Sequence, residues 1–257
     1  MELIDTHCHL TFLQLANDLN AVLARSVAAG VTGWLTVGTD PKQNCKAVEL
    51  TGKFTNMYAA VGIHPHDAHD VTAETLTELK ELARDEKVVA LGETGLDFHY
   101  NHSSPSDQKR AFAAQLKIAK ELNLPVIIHC REAFDETMEI LDQYGRDIRG
   151  VVFHCFSGSA VQAKIVLDYG FYVSFTGVVT FKNADLIRKA AEIVPTDRLM
   201  LETDCPYMSP EPMRKQKINE PALMVHTAKY LAELKQMELT DFTDAVTATS
   251  KSFFDLP

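Results

Sequence analysis

Short apolar runs alternate with amphipathic segments along almost the whole chain, and this alternation constrains the fold more than any other feature. Eight runs fit buried strands, at 3–9, 33–39, 57–64, 88–93, 125–130, 150–155, 171–176 and 199–204. Segments with helical spacing lie between and after them, at 17–29, 41–53, 73–86, 106–122, 132–144, 160–169, 184–193 and 221–235. The chain is therefore expected to adopt an α/β fold in which helices follow strands.

The predicted strands are apolar on both faces, which is typical of parallel strands covered on each side by helices. Val126–Ile128 and Val151–Phe153 contain no polar residue at all. A length of 257 residues suits one closed (β/α)8 TIM barrel, and a single domain over 1–257 is expected. A doubly wound open sheet is the alternative, but the glycine-rich loop that often follows its first strand is absent here.

The charge and hydropathy of the chain restrict its partners. With 35 acidic and 25 basic residues, the formal net charge is -10, which disfavours a broad contact surface for duplex DNA or anionic lipid. The sequence contains no run of about 18 apolar residues that would span a membrane, and it begins without the basic and apolar regions of a signal peptide. We expect a cytoplasmic protein with no membrane contact.

Ionisable residues stand where otherwise apolar strands end. Residues i and i+2 of a strand point to the same side, so His7 and His9 project together. On a (β/α)8 barrel the carboxyl ends of all strands meet at one face, where such enzymes keep their active sites. Buried ionisable groups carry a large desolvation cost unless they are paired, and shared cations would satisfy them together. A metal site at the C-terminal face is therefore predicted, with six ligands: His7, His9, Glu93, His129, His154 and Asp204.

Seven motifs in order make the chain resemble the TatD-related metal-dependent hydrolases, a branch of the amidohydrolase-like barrels usually described as deoxyribonucleases. The resemblance spans nearly the whole chain. The motifs are Ile4-Asp5-Thr6-His7-Cys8-His9-Leu10, Val61-Gly62-Ile63-His64-Pro65, Gly92-Glu93-Thr94-Gly95-Leu96-Asp97, Ile128-His129-Cys130-Arg131, His154-Cys155-Phe156-Ser157-Gly158, Leu201-Glu202-Thr203-Asp204-Cys205-Pro206 and Asn219-Glu220-Pro221.

The resemblance implies two divalent metal ions per chain. Glu93 would bridge them, with His7, His9 and Asp204 completing one coordination sphere and His129 and His154 the other. The identity of the ions is open between zinc, manganese and magnesium, since four imidazoles with two carboxylates favour zinc, manganese or cobalt by ligand type and the nuclease resemblance implies magnesium.

Ion charge then dictates the expected chemistry, in which a water deprotonated near neutral pH attacks the substrate. Asp204 is the candidate proton acceptor and, with Glu93, forms the predicted catalytic pair. Glu202 points the same way as Asp204 and is expected to orient the site rather than bind metal. His66 and His69 are expected on a surface loop.

Four further residues are candidates for substrate binding. His64 ends the third strand at the same face, with a structural role as the alternative. Arg131 follows a ligand strand and could instead cap the next helix. Arg214 and Lys217 lie in a proline-rich basic loop after the last strand, where they either bind phosphate or stay solvated.

The leading functional hypothesis is a phosphodiesterase, or deoxyribonuclease, that acts on DNA ends or short single-stranded oligonucleotides. An acidic body offers no long basic groove, so a short substrate fits best. The alternative is hydrolysis of a C–N, ester or phosphoester bond in a small phosphorylated or amide substrate at the same site. A third possibility is a non-catalytic metal-binding barrel. No obligate protein partner is indicated.

Overall fold

A computed structural model describes residues 2–257 and contains eight strands in one sheet, ordered in space as they are along the chain. The strands are β1 (Leu3–Cys8), β2 (Val31–Val37), β3 (Met57–Val61), β4 (Val88–Asp97), β5 (Val126–Arg131), β6 (Val151–Phe153), β7 (Tyr172–Phe175) and β8 (Leu199–Leu201). The strand pairs β1–β2, β3–β4, β4–β5, β5–β6 and β7–β8 are all parallel. This order confirms the predicted (β/α)8 barrel class rather than a doubly wound sheet, whose strand order reverses at a switch point.

Helices separate the strands as the hydrophobic periodicity predicts. They are α1 (Leu13–Ala16), α2 (Leu19–Ala28), α3 (Pro41–Thr51), α4 (Ala73–Leu82), α5 (Pro105–Leu122), α6 (Phe134–Tyr144), α7 (Ala160–Asp168), α8 (Asp185–Ile193), α9 (Met224–Leu234) and α10 (Leu239–Phe254). None of the helices within residues 2–257 is long and apolar enough to cross a membrane.

The C-terminal helix α10 was not predicted from the sequence. Its sixteen residues include four threonines, which favour helices weakly because their branched side chains lose rotamer freedom. Burial overrides this preference, since Phe242, Val246 and Phe254 are almost fully enclosed. The Thr247 hydroxyl donates to the carbonyl oxygen of Glu2 at 2.8 Å, which connects the helix to the start of the first strand.

Backbone contacts divide the chain into two compact units, and each contains four neighbouring strands. The first unit comprises the residues up to Thr36 together with Cys155–Pro257. In it β7 pairs with β8, β1 pairs with β2, and a bridge between Cys8 and Cys205 joins the β1 end to the segment after β8. The second unit is Val37–His154, in which β3, β4, β5 and β6 pair in succession. The single domain over 1–257 stays a prediction.

Strand β4 continues four residues beyond the predicted end at position 93. The extension pairs Gly95 with His129 and Asp97 with Arg131. Gly95 has φ 143°, and a Cβ at this position would collide with the backbone carbonyl oxygen of His129. Only glycine therefore permits the close approach of β4 to β5 that sets the position of His129.

Candidate metal centre

Three predicted ligands converge in the first unit, and we call them the first cluster: His7, His9 and Asp204. His7 Nε2 and His9 Nε2 lie 3.3 Å apart, and Asp204 Oδ1 lies 3.8 Å from the former and 3.4 Å from the latter. All three residues are buried. The Phe12 ring stacks on the His9 imidazole with centroids 4.7 Å apart, so one face of this ligand is covered by an apolar group.

Backbone hydrogen bonds between the β1 end and the segment after β8 bring this cluster together. The Asp204 N–H donates to His7 O and the His9 N–H donates to Cys205 O, both at 2.9 Å. Asp204 itself has φ 53°, a left-handed conformation that is uncommon outside glycine and costs about 1 kcal/mol or more. The surrounding hydrogen bonds hold the carboxylate in this conformation.

Asp5 and Asn219 fix the residue that precedes Asp204. The Asp5 carboxylate accepts from the Thr203 N–H at 2.9 Å and from its hydroxyl at 2.6 Å. Burial raises the pKa of Asp5 to about 7, although the hydrogen bonds from Thr203 act in the opposite direction. Asn219 Nδ2 donates to Thr203 O at 3.0 Å and to Tyr207 O at 2.7 Å, which anchors the loop after β8.

Four residues converge in the second unit, and we call them the second cluster: His64, Glu93, His129 and His154. Glu93 Oε1 lies 2.6 Å from His129 Nδ1, 2.7 Å from His154 Nε2 and 3.5 Å from His64 Nε2. His129 Nδ1 and His154 Nε2 are 3.4 Å apart. His64 was predicted to bind substrate, and the structure places it against Glu93 at the same cluster.

Burial and the neighbouring charges oppose one another in this cluster. Burial alone would raise the pKa of Glu93, but attraction to His154 and His64 and hydrogen bonding with His129 hold it well below its usual value. Burial would lower the pKa of His129, yet Asp97 and Glu93 raise it. At His64 burial prevails and lowers the pKa to about 4 despite the proximity of Glu93. The cluster therefore contains an ionised carboxylate beside a neutral imidazole.

Sequence reasoning missed the role of Asp97. Its fully buried Oδ2 lies 3.0 Å from His129 Nε2, the ring nitrogen that faces away from Glu93. A carboxylate in this position fixes the tautomer and orientation of a metal-ligating histidine. The same oxygen lies 3.1 Å from His66 Nε2, so His66 is half-buried and hydrogen-bonded instead of lying on an exposed loop. Burial alone would raise the pKa of Asp97, but hydrogen bonds from His129, the Tyr100 N–H and His66 lower it.

Glu202 is buried and held by two donors in the first unit. Its Oε1 accepts from the Cys155 N–H at 2.6 Å and its Oε2 accepts from the Ser174 hydroxyl at 2.6 Å. Both oxygens are thus engaged by the polypeptide. The orienting role expected of Glu202 stays a prediction.

The remaining predicted substrate residues lie outside the two clusters. The Arg131 guanidinium carbon lies 4.6 Å from the Tyr100 ring centroid, and that of Arg214 lies 3.9 Å from the Phe181 ring centroid. Arg131 is half-buried, whereas Arg214 and Lys217 are exposed. The positions of Arg131, Arg214 and Lys217 do not by themselves indicate phosphate binding, so substrate binding stays a prediction for all three.

The donor atoms of the first cluster are spaced as the ligands of a divalent ion are. In the first cluster they are separated by 3.3–3.8 Å, close to the edge of about 3.4 Å in a tetrahedron with metal–ligand bonds of about 2.1 Å. The donors of His7, His9 and Asp204 form one convergent group, and those of His64, Glu93 and His129 form another. Imidazole with carboxylate is a donor set suited to zinc, manganese and related ions.

Comparison with known proteins identifies relatives over the whole chain. A family model described as TatD related DNase matches residues 4–255. The metal-dependent hydrolase YabD of Bacillus subtilis (strain 168) is 42% identical over 98% of both chains. The 3'-5' ssDNA/RNA exonuclease TatD of Escherichia coli (strain K12) is 34% identical over 99% of both chains.

Solved structures agree with this assignment. The crystal structure of YjjV, a TatD homologue from Escherichia coli K12, superposes with a TM-score of 0.92 at 30% identity, covering 99% of this chain and 98% of the other. A TatD family hydrolase from Entamoeba histolytica has the same fold, with a TM-score of 0.90, 22% identity and 98% coverage of both chains. The chain belongs to the TatD-related family of metal-dependent hydrolases.

Proposed function

We propose that this protein is a two-metal phosphodiesterase that shortens single-stranded DNA or RNA from an end. The observation that carries the proposal is the pair of imidazole and carboxylate clusters, each of which brings together donor atoms that could hold a metal ion. Full-length similarity to a 3'-5' ssDNA/RNA exonuclease supports the substrate class.

Each cluster holds one ion in this proposal. His7, His9 and Asp204 bind the first, while Glu93, His129 and His154 bind the second. When bound, the ions supply the positive charge that activates water and stabilises the charge developing on a phosphoryl group. Zinc, manganese and magnesium are the candidate ions. The bridging role of Glu93 stays a prediction.

The protein's own groups handle the proton and the substrate. Asp204 Oδ accepts the proton of the attacking water, and its fixed left-handed backbone keeps the carboxylate oriented. Asp97 holds the His129 ring so that Nδ1 stays directed at Glu93. His64, with its pKa lowered by burial, stays neutral at pH 7 and serves as a hydrogen-bonding group toward a phosphate.

The charge distribution favours a short substrate. The net charge of -10 repels a long polyanion, so binding depends on a few local contacts. Arg131, Arg214 and Lys217 are the basic groups that we assign to phosphate. These three basic groups are enough to bind the phosphates of a terminal stretch of a few nucleotides.

Hydrolysis of terminally labelled single-stranded DNA by wild-type protein and by His154→Ala tests the proposal. We expect the variant to lose at least about a thousandfold in kcat, since one ligand of an essential ion is removed. His226→Ala is the matched control, because His226 lies in α9 outside both clusters, and we expect its substitution to leave the rate unchanged.

Equal turnover by wild type and His154→Ala would assign the nuclease activity to a contaminant and overturn the proposal. In that case a panel of phosphomonoesters, esters and amides, assayed with the same three proteins, tests the alternative substrates. Hydrolysis of a panel member that is lost only in His154→Ala would establish a small-molecule hydrolase instead.

A further inference from the structure

Two exposed aromatic rings, those of Tyr100 and His102, lie on the loop between β4 and α5. Together with the neighbouring Arg131 they form a group that we call the aromatic platform. The Tyr100 and His102 rings are nearly parallel, with an interplanar angle of 4° and centroids 5.7 Å apart. Tyr100 is 52% exposed and His102 is also exposed. The Arg131 guanidinium lies on the Tyr100 ring.

The backbone of the loop that carries these rings is hydrogen-bonded by two buried polar side chains. Asp97 Oδ1 accepts from the N–H groups of His99 and Tyr100 at 3.0 and 2.9 Å. Gln108 Nε2 donates to the carbonyl oxygens of Asp97 and Ser103, both at 3.0 Å. An exposed ring on such a preorganised loop loses little conformational entropy when a ligand stacks on it.

Ring contacts connect the platform to the second cluster. The His66 ring lies 5.5 Å from Tyr100 and 4.6 Å from His102, measured between centroids. On its other side it lies 4.3 Å from the His64 ring. One imidazole ring, that of His66, therefore separates the platform from a residue of the second cluster.

With only three basic groups assigned to phosphate, an acidic protein gains further affinity for single-stranded nucleic acid from contacts other than phosphate charge. Aromatic side chains do this, because every base has a π-face and stacks on them irrespective of sequence. Guanidinium groups stack and bind phosphate at once. The platform offers both kinds of contact in one place.

We infer that Tyr100 and His102 stack a nucleobase next to the scissile phosphate while Arg131 binds a neighbouring phosphate. This inference rests on the proposed nuclease function and adds the subsite that makes the enzyme select nucleotides over simple phosphodiesters. Tyr100 and His102 are specificity-determining residues here and take no part in proton transfer.

Hexanucleotides that carry one abasic sugar test the inference. Three substrates are compared: an intact strand, and strands lacking the base on either side of the terminal scissile phosphate. For wild type, one abasic strand has a KM about tenfold higher than the intact strand, at similar kcat, because one stacking contact is lost. Tyr100→Ala raises the KM of the intact strand by the same factor and leaves that abasic strand unaffected.

Two further variants separate stacking from a structural effect. Tyr100→Phe keeps the ring and retains the wild-type KM, whereas a need for the hydroxyl would make it resemble Tyr100→Ala. Tyr169→Ala removes a tyrosine of similar exposure, 44%, at the end of α7 and changes no constant.

The outcomes distinguish the inference from the function on which it depends. If wild type cleaves none of the three strands, the proposed nuclease function itself fails. If wild type cleaves all of them with equal KM, or if Tyr100→Ala weakens intact and abasic strands alike, the stacking subsite is overturned while the nuclease function stands.

Discussion

Asp97 and His129 form a carboxylate–imidazole pair, with Asp97 Oδ2 3.0 Å from the His129 nitrogen that faces away from Glu93. The other nitrogen of the same ring lies 2.6 Å from Glu93. The histidine is thus fixed between two carboxylates. Because Oδ1 of Asp97 also accepts from the Tyr100 N–H, one side chain supports both the second cluster and the aromatic platform.

Replacing Asp97 with asparagine should weaken the site without removing a ligand. The amide lacks the charge that orients and polarises His129, and losses of about 10- to 100-fold in metal affinity or activity are typical of such changes. Metal affinity is measured by competition with a chelator, and kcat on a phosphodiester substrate. Asp107→Asn, in the first turn of α5 and outside both clusters, is the control. An Asp97→Asn variant with unchanged affinity and rate would show that His129 needs no such partner.

Substitutions in the two clusters should have separable effects on metal content. His9→Ala removes a donor of the first cluster and His154→Ala one of the second. We expect each purified variant to contain about one ion fewer per chain than wild type, as measured by elemental analysis after dialysis. The double variant should retain almost none. If either single variant lost all its metal, the two clusters would not bind ions independently.

Asn219→Ala should lower both stability and activity. The fully buried amide donates to Thr203 O and Tyr207 O and accepts from the Glu220 N–H at 2.9 Å. Leaving these groups unpaired costs about 2 kcal/mol, equivalent to a Tm decrease of about 5 °C for a chain of this size. Because Thr203 precedes Asp204, kcat should fall as well. An unaltered Tm in calorimetry would contradict the anchoring role.

The salt dependence of oligonucleotide binding should be weak. Each phosphate contact on a single strand contributes about 0.7 to the slope of log K against log salt, and only Arg131, Arg214 and Lys217 are assigned to phosphate. We expect a slope of about 2 in magnitude, measured by fluorescence anisotropy with a catalytically inactive variant. Arg214→Ala and Lys217→Ala should each reduce it by about 0.7, and Lys164→Ala, on the exposed face of α7, should not. A wild-type slope of 5 or more would indicate an extended basic groove.

The sequence predicts much of the fold because period and burial coincide in most elements. Strands such as Val126–Arg131 are apolar enough to be recognised, and their order follows from the βα alternation. Helix α10 is not predicted from the sequence, because its threonines favour other conformations and only burial of Phe242 and Val246 makes the helix stable. That burial depends on the whole fold and leaves no local signal.

The candidate ligands were predictable because each stands at the end of an apolar strand. Of the residues that support them, only some could have been predicted. Asp97 could have been found, since Glu93, Gly95 and Asp97 alternate along one strand and point the same way. The contacts of His66 could not have been predicted, because the short 3-10 helix Pro65–Asp70 that carries it has no hydrophobic period. Long-range partners, such as Arg25 with Glu220 at 2.7 Å, require the structure.

The central claim, that hydrolysis of nucleic acid ends depends on divalent ions held by these two clusters, is tested most directly by metal titration. Chelator-treated wild-type protein is assayed on terminally labelled single-stranded DNA while zinc, manganese or magnesium is restored. We expect the metal-free protein to be inactive. With at least one of the three metals, activity should rise as the metal is added and reach its plateau at about two equivalents per chain. Full activity in the metal-free protein, or continued inactivity with every ion at saturation, would contradict the claim.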